Sequence, residues 1–154
     1  VSVDESRTQY EQVYDEISSL PRNSEFRVIE GREAMIHEIK SLHDKKWEKF
    51  FNRIKERKIE TRALFTKEGL ETAKEKLSPE NIRNIKKREW LLKTLPEKKL
   101  PFDELIYIYA NKVVFLFPRV SLIFTIKHRR IARAFKSIFD SLYNFAKSRP
   151  NPWN

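Results

Sequence analysis

Between Leu105 and Ile126 the chain carries three apolar runs, LIYIY, VVFLF and LIFTI, separated only by ANK and PRVS. Aromatic and β-branched residues dominate each run, and such side chains favour a pleated strand. A parallel return between neighbouring strands needs a crossover of about a dozen residues or more, and links this short leave only an antiparallel meander. The near-continuous apolar character implies that both faces are covered, at least in part. The rest of the chain must supply that cover.

It does so mainly as helices. In ESRTQYEQVYDEISSLPR the residues Tyr10, Val13, Tyr14, Ile17 and Leu20 recur at three-and-four spacing up to Pro21, which predicts an amphipathic helix. EFRVIEG alternates, with Phe26 and Val28 on one face and Arg27 and Ile29 on the other, and Gly31 reads as a turn after a short strand. REAMIHEIKSLHD returns to helical period through Met35, Ile36, Ile39 and Leu42, and KKWEKFFNRIKERKI follows with Trp47, Phe50, Phe51 and Ile54. ETRALFT and WLLKTLP read as strands on either side of two further helices, KEGLETAKEKL and SPENIRNIKKRE. The second of these opens on Ser78 as cap and Pro79 at the first helical position, where a missing N–H costs nothing. A last helix follows the meander, with Ile131, Phe135, Ile138, Phe139, Leu142 and Phe145 as its apolar ladder. The expected class is α+β, an α/β sandwich: a mixed sheet with a C-terminal antiparallel meander, covered by helices. The expected organisation is an amphipathic linker or dimerisation helix over 1–22, a regulatory domain over 23–148 and a tail over 149–154.

Two glycines, Gly31 and Gly69, are all that 154 residues contain, which excludes glycine-rich phosphate loops. There is no cysteine, hence no disulfide framework and no thiolate chemistry. The N-terminal VSVDESRTQYEQ lacks an apolar leader core, and Asn111, Lys112, Pro118 and Arg119 interrupt the longest apolar region, so no membrane span is expected and a cytoplasmic location is. The net charge of +10 suits an anionic partner.

Catalytic constellations are sparse. His37 and His43 are six residues apart, too far for a shared metal on one helix face, and no metal or cofactor is expected. The phospholipase-D motif H-x-K-x4-D is missed by one place, since His37 is followed by Lys40 and Asp44. The stretch also scans as continuous helix, whereas that chemistry needs its His and Lys projecting together from a strand, and no catalytic residue is assigned. Cations are the remaining currency. Arg53, Arg57 and Arg62 flank the helix-to-strand passage at Ile59, and Arg129 and Arg130 open the last helix, where an N-terminus favours anions. These five are the candidates for an anionic effector. Arg83, Lys86, Lys87 and Arg88, with Lys127, Arg133 and Lys136, form the alternative, a stand-alone nucleic-acid-binding surface.

With these residues placed, the chain resembles the C-terminal effector-binding domain of TrmB-type transcriptional regulators. EFRVIEGREAMIHEI is similar to that domain's strand–Glu-Gly–helix opening, and WEKFFNRIKERKIETRALFT to its helix, basic turn and strand. LPFDELIYIYANKVVFLF is similar to its hairpin with Asn-Lys at the turn, and LIFTIKHRRIARAFKSIFDSLYNFAK to its closing strand and helix. The match runs over about 25–147. Lys58 stands where the family commonly has Gly, and the strand that usually follows the first effector helix has no counterpart before Asp44. The resemblance implies a non-catalytic phospholipase-D-like fold that binds a small-molecule or anionic effector. It also implies a homodimer, with Tyr10, Val13, Tyr14, Ile17 and Leu20 as the pairing helix, and DNA contact through a domain outside this chain.

Overall fold

The computed structural model describes residues 1–4 and 7–154. Glu5 and Ser6, where the first predicted helix begins, lie outside the described residues. The first half runs β1 (Ser2–Asp4), α1 (Arg7–Ser18), β2 (Glu25–Glu30), α2 (Ala34–Ile39), α3 (Asp44–Glu56) and β3 (Glu60–Thr66). The second half runs α4 (Lys67–Lys76), α5 (Pro79–Ile85), β4 (Glu89–Leu95), β5 (Leu105–Tyr109), β6 (Lys112–Phe117), β7 (Leu122–Lys127), α6 (Arg129–Phe145) and β8 (Lys147–Ser148). The strands form a mixed sheet in the order β1-β7-β6-β5-β2-β3-β4-β8, an α+β architecture as expected.

The meander β5–β6–β7 is antiparallel throughout, whereas β2, β3 and β4 are parallel to one another. Each parallel step is a crossover that advances in the same direction, so the helices of both are laid on one face of the sheet. That face carries Phe26 and Val28 from β2, Ala63 and Phe65 from β3, Leu92 from β4, and Tyr107 and Val114 from the meander. Tyr10, Tyr14 and Ile17 of α1, Met35 of α2, Trp47 and Phe51 of α3, Leu70 of α4 and Ile85 of α5 close over them. The opposite face holds Ile29, Leu64, Leu95, Leu100 and Ile108, met by Phe139 of α6.

Several local features have direct causes. Ser78 accepts from the Asn81 N–H and Thr66 from the Gly69 N–H, capping α5 and α4. At the end of α3, Ile59 N–H donates to the Ile54 carbonyl and Lys58 N–H to that of Lys55, with Lys58 left-handed at φ 53°. This pair of bonds defines a Schellman motif, whose left-handed position favours glycine. The β5–β6 link is a two-residue hairpin with Ala110 and Asn111 both at positive φ. Both glycines mark close approaches. A Cβ on Gly31 would fall 1.9 Å from the Phe102 carbonyl oxygen, and one on Gly69 would fall 2.2 Å from that of Arg32.

Three expectations are revised. The helix read through His37 to Asp44 ends at Ile39, and α3 starts afresh at Asp44. β1 and β8 had no apolar pattern to announce them; they are edge strands held by pairing with β7 and β4. The ladder on α6 is only partly core: Phe139 is buried, but Ile131, Ile138 and Phe145 are 37%, 54% and 88% exposed. The apolar arc of α6 is wider than the strip of sheet a single helix can cover, and these three residues, seven apart, lie along its overhanging flank.

Candidate effector and nucleic-acid surfaces

The five effector candidates do not converge. On the helical face, Arg53 donates to the Ser19 hydroxyl at 2.9 Å. Arg57 donates twice to the Leu20 carbonyl, at 2.9 and 2.8 Å, and so ties off the chain after α1. Arg53 also lines, with Lys46 and Lys49, a small cleft of about 110 Å³ beside α1. Arg62 lies on the α6 side of the sheet, paired with Glu25 at 2.9 Å and Glu60 at 3.6 Å. Arg129 and Arg130 are exposed at the start of α6, where His128 Nδ1 accepts from the Arg130 N–H.

The residues expected to pair protomers are placed differently from the expectation. Tyr10, Val13, Tyr14 and Ile17 are buried in the chain's own core, and Leu20 packs against it. The apolar stripe of α1 is therefore consumed within the fold, because the sheet face opposite offers a matching apolar surface.

The first basic cluster is dispersed. Arg83 and Lys86 are exposed, while Lys87 donates to Asn52 and Asn84 at 2.8 and 2.9 Å. Arg88, a nucleic-acid candidate, is turned inward and only 5% exposed, too deep to meet a phosphate backbone. Its guanidinium lies 4.9–5.5 Å from the ring centroids of Trp90, Phe26, Phe50 and Phe51, an arrangement in which desolvated cation–π attraction replaces solvent. The second cluster holds together. Lys127, Arg129, Arg130 and Arg133 are exposed with Lys136 partly buried beside them, and among the described residues none of the five has an acid within 4 Å. Asp140, one turn on, is spent on Arg27 of β2 through bonds of 3.0 and 3.4 Å, which anchor α6 to the sheet.

A polar cluster inside the core has no counterpart in the sequence reading. Tyr14 of α1 donates to Glu38 Oε2 at 2.5 Å, and Tyr107 of β5 donates to the same oxygen. Glu30, at the end of β2, is buried beside them, and among the described residues neither of its oxygens is bonded to a donor. Burial and the neighbouring Glu38 push the Glu30 carboxyl well above its usual range, with Arg88 opposing. Burial likewise raises both tyrosines, and the charge of Glu38 adds to it. Parity along EFRVIE put Glu30 on the Phe26 face; the depth of that face needed the three-dimensional fold to appear.

His37 and Lys40 line a cleft of about 200 Å³ with Tyr10, Ser41, Pro118 and Ser121, and Asp44 is not part of it. His37 belongs to α2 and Lys40 caps it, so no strand presents the two together. Among the described residues no group of three or more His, Asp or Glu is spaced to hold a metal, and no helix is long and apolar enough to cross a membrane.

No family model matches the chain, and no curated protein does. Among solved structures it is similar to TrmBL2, an archaeal chromatin protein whose structure shows a novel mode of DNA binding. The similarity has a TM-score of 0.56 at 18% identity and covers 96% of this chain and 54% of that one. At such identity the likeness is one of fold. The chain thus spans about half the length of this neighbour and shares a fold with a TrmB-like protein.

Proposed function

We propose that the chain is a non-catalytic regulatory platform within a TrmB-like, DNA-associated protein. The observation that carries this reading is the agreement of two independent likenesses. The ordered sequence segments over about 25–147 resemble the TrmB effector-binding domain, and the fold of nearly the whole chain is similar to TrmBL2. In this role the domain receives an effector or partner and biases the geometry of DNA-contacting parts outside this chain. Homodimerisation remains part of the proposal, but it no longer rests on the stripe of α1. The phospholipase-D likeness is proposed as ancestry of fold without the chemistry, given where His37, Lys40 and Asp44 lie.

The test is a pair of measurements on the purified chain. Sedimentation equilibrium is expected to give a dimer at micromolar concentration, and bis(p-nitrophenyl) phosphate is expected to stay intact. A monomer that hydrolyses this diester, and loses the activity in His37→Ala, would overturn the reading.

A second reading has its own support in the cluster of Lys127, at the end of β7, with Arg129, Arg130 and Arg133 of α6, exposed cations that have no acid partner among the described residues. In it the chain grips nucleic acid directly, and its affinity would fall steeply with salt as counterions are released.

A further inference from the structure

The last helix keeps an apolar flank that its own fold does not use. Ile131, Ile138 and Phe145 recur at every seventh residue of α6, and all three are exposed. Between them stand Ala134 and Ser141, which are small and also exposed. At about 100° per residue the five fall within one arc of about 80°, turned away from Ala132 and Phe139, the buried residues of the helix. The pattern is a heptad repeat, with large apolar residues at its first position and small residues at its fourth.

The charges of α6 decide what kind of partner this flank fits. Arg129, Arg133 and Lys136 lie on the far flank, the side on which Asp140 is bonded to Arg27 of β2. From Ser137 to Phe145 the helix carries no charge but that of Asp140. A lipid surface or an acidic partner would meet the cations of the far flank. The seam itself asks for an uncharged apolar face with gaps that match its own large side chains. A second α6 running antiparallel has such a face, because the first positions of one helix then oppose the fourth positions of the other. Phe145 is set on Ala134 of the second copy and Ile138 on Ser141 of the second copy, so a large side chain meets a small one in each layer. The helix dipoles oppose, and the two basic clusters stand about 20 Å apart along the pair, more than two screening lengths at physiological salt. Parallel pairing would put Phe145 on Phe145 and the clusters side by side.

We infer that α6 is the surface through which two copies of this chain associate, as an antiparallel pair of closely packed helices. This rests on the homodimer of the platform reading and gives it the surface that α1 does not provide. A single helix seam is smaller than the standard interface of about 800 Å² per partner, which sets the association in the micromolar range. The seam is already formed in the single chain. Substitutions on it therefore act on association and leave the stability of the monomer nearly unchanged.

The absence of cysteine from the chain makes the test direct. An equimolar mixture of the Ala134→Cys and Phe145→Cys chains is expected to form a disulfide-linked dimer on oxidation, whereas neither variant alone does, since each position stands opposite the other. In sedimentation equilibrium of the full chain, Ile138→Glu is expected to weaken association at least about tenfold while its thermal melt matches the parent's. Cross-linking of either single variant by itself to the same extent as the mixture would mean a parallel or unspecific contact and overturn the proposal. A dimer unchanged in Ile138→Glu would also overturn it, while leaving the homodimer of the platform reading in place on another surface. A parent chain that stays monomeric up to about 200 micromolar would overturn both, and would leave the flank to another chain or to a part of the protein outside this sequence.

Discussion

The two faces of the sheet are built on opposite principles. On one, α1 to α5 close over Phe26, Phe65 and Tyr107 so completely that even Glu30, Glu38 and Arg88 are drawn inside. On the other, α6 crosses the sheet and leaves Ile131, Ile138 and Phe145 uncovered beside a cluster of cations that have no acid partner among the described residues. The contrast follows from topology. Crossovers that advance in one direction stack their helices on one side, and only the C-terminal helix is free to take the other. Stability is therefore concentrated on the first face, and accessible chemistry on the second and at the sheet's margin.

The largest effects should separate the faces. Phe26→Ala is expected to cost about 3–5 kcal/mol in chemical denaturation, whereas Phe145→Ser should stay within about 0.5 kcal/mol of the parent. Comparable losses at both positions would break the comparison. Gly31→Ala, which drives a Cβ into the Phe102 carbonyl, is expected to cost about 1–3 kcal/mol, measured the same way.

The buried acid gives the closed face a pH signature. Burial and the neighbouring Glu38 raise the Glu30 carboxyl well above its usual range in the folded chain, whereas it ionises near pH 4.5 once unfolded. The unfolded state then releases a proton that the folded state keeps. The stability this group contributes is thus complete below pH 4.5 and declines as pH rises toward the raised folded value, by at most about 1.4 kcal/mol per pH unit. Glu30→Gln should flatten denaturation profiles between pH 5 and 8 and gain stability over the parent at the upper end. A parent profile already flat in that window would contradict the assignment. The smallest expected gain is at the turn that ends α3: Lys58→Gly relieves a left-handed position and should stabilise by about 0.5–1 kcal/mol in thermal melts.

Much of this asymmetry was legible in the sequence, and the part that was not has identifiable causes. The meander was readable because links of two to four residues admit one pairing. The helices of the closed face announced themselves by period, and Lys58 marked its turn by standing where the domain it resembles commonly has glycine. The sequence could not show how wide a strip of sheet α6 would cover, so its whole ladder read as core. Nor could it show that Arg88, in a run with Lys86 and Lys87, would turn inward; a charge run looks solvated until the residue after a helix is placed. The edge strands β1 and β8 are three and two residues long and join the sheet by pairing with β7 and β4, too short a stretch to carry a side-chain pattern.

The most direct test of the platform reading is the affinity of this chain alone for a labelled random DNA duplex, followed from 50 to 200 mM salt. The account predicts no saturable binding at micromolar protein in 150 mM salt, because DNA contact is assigned to parts outside the chain. Saturable binding whose logarithm falls with a slope of several charges, and which Arg129→Glu, Arg130→Glu and Arg133→Glu together abolish, would contradict it and make α6 the DNA-gripping surface.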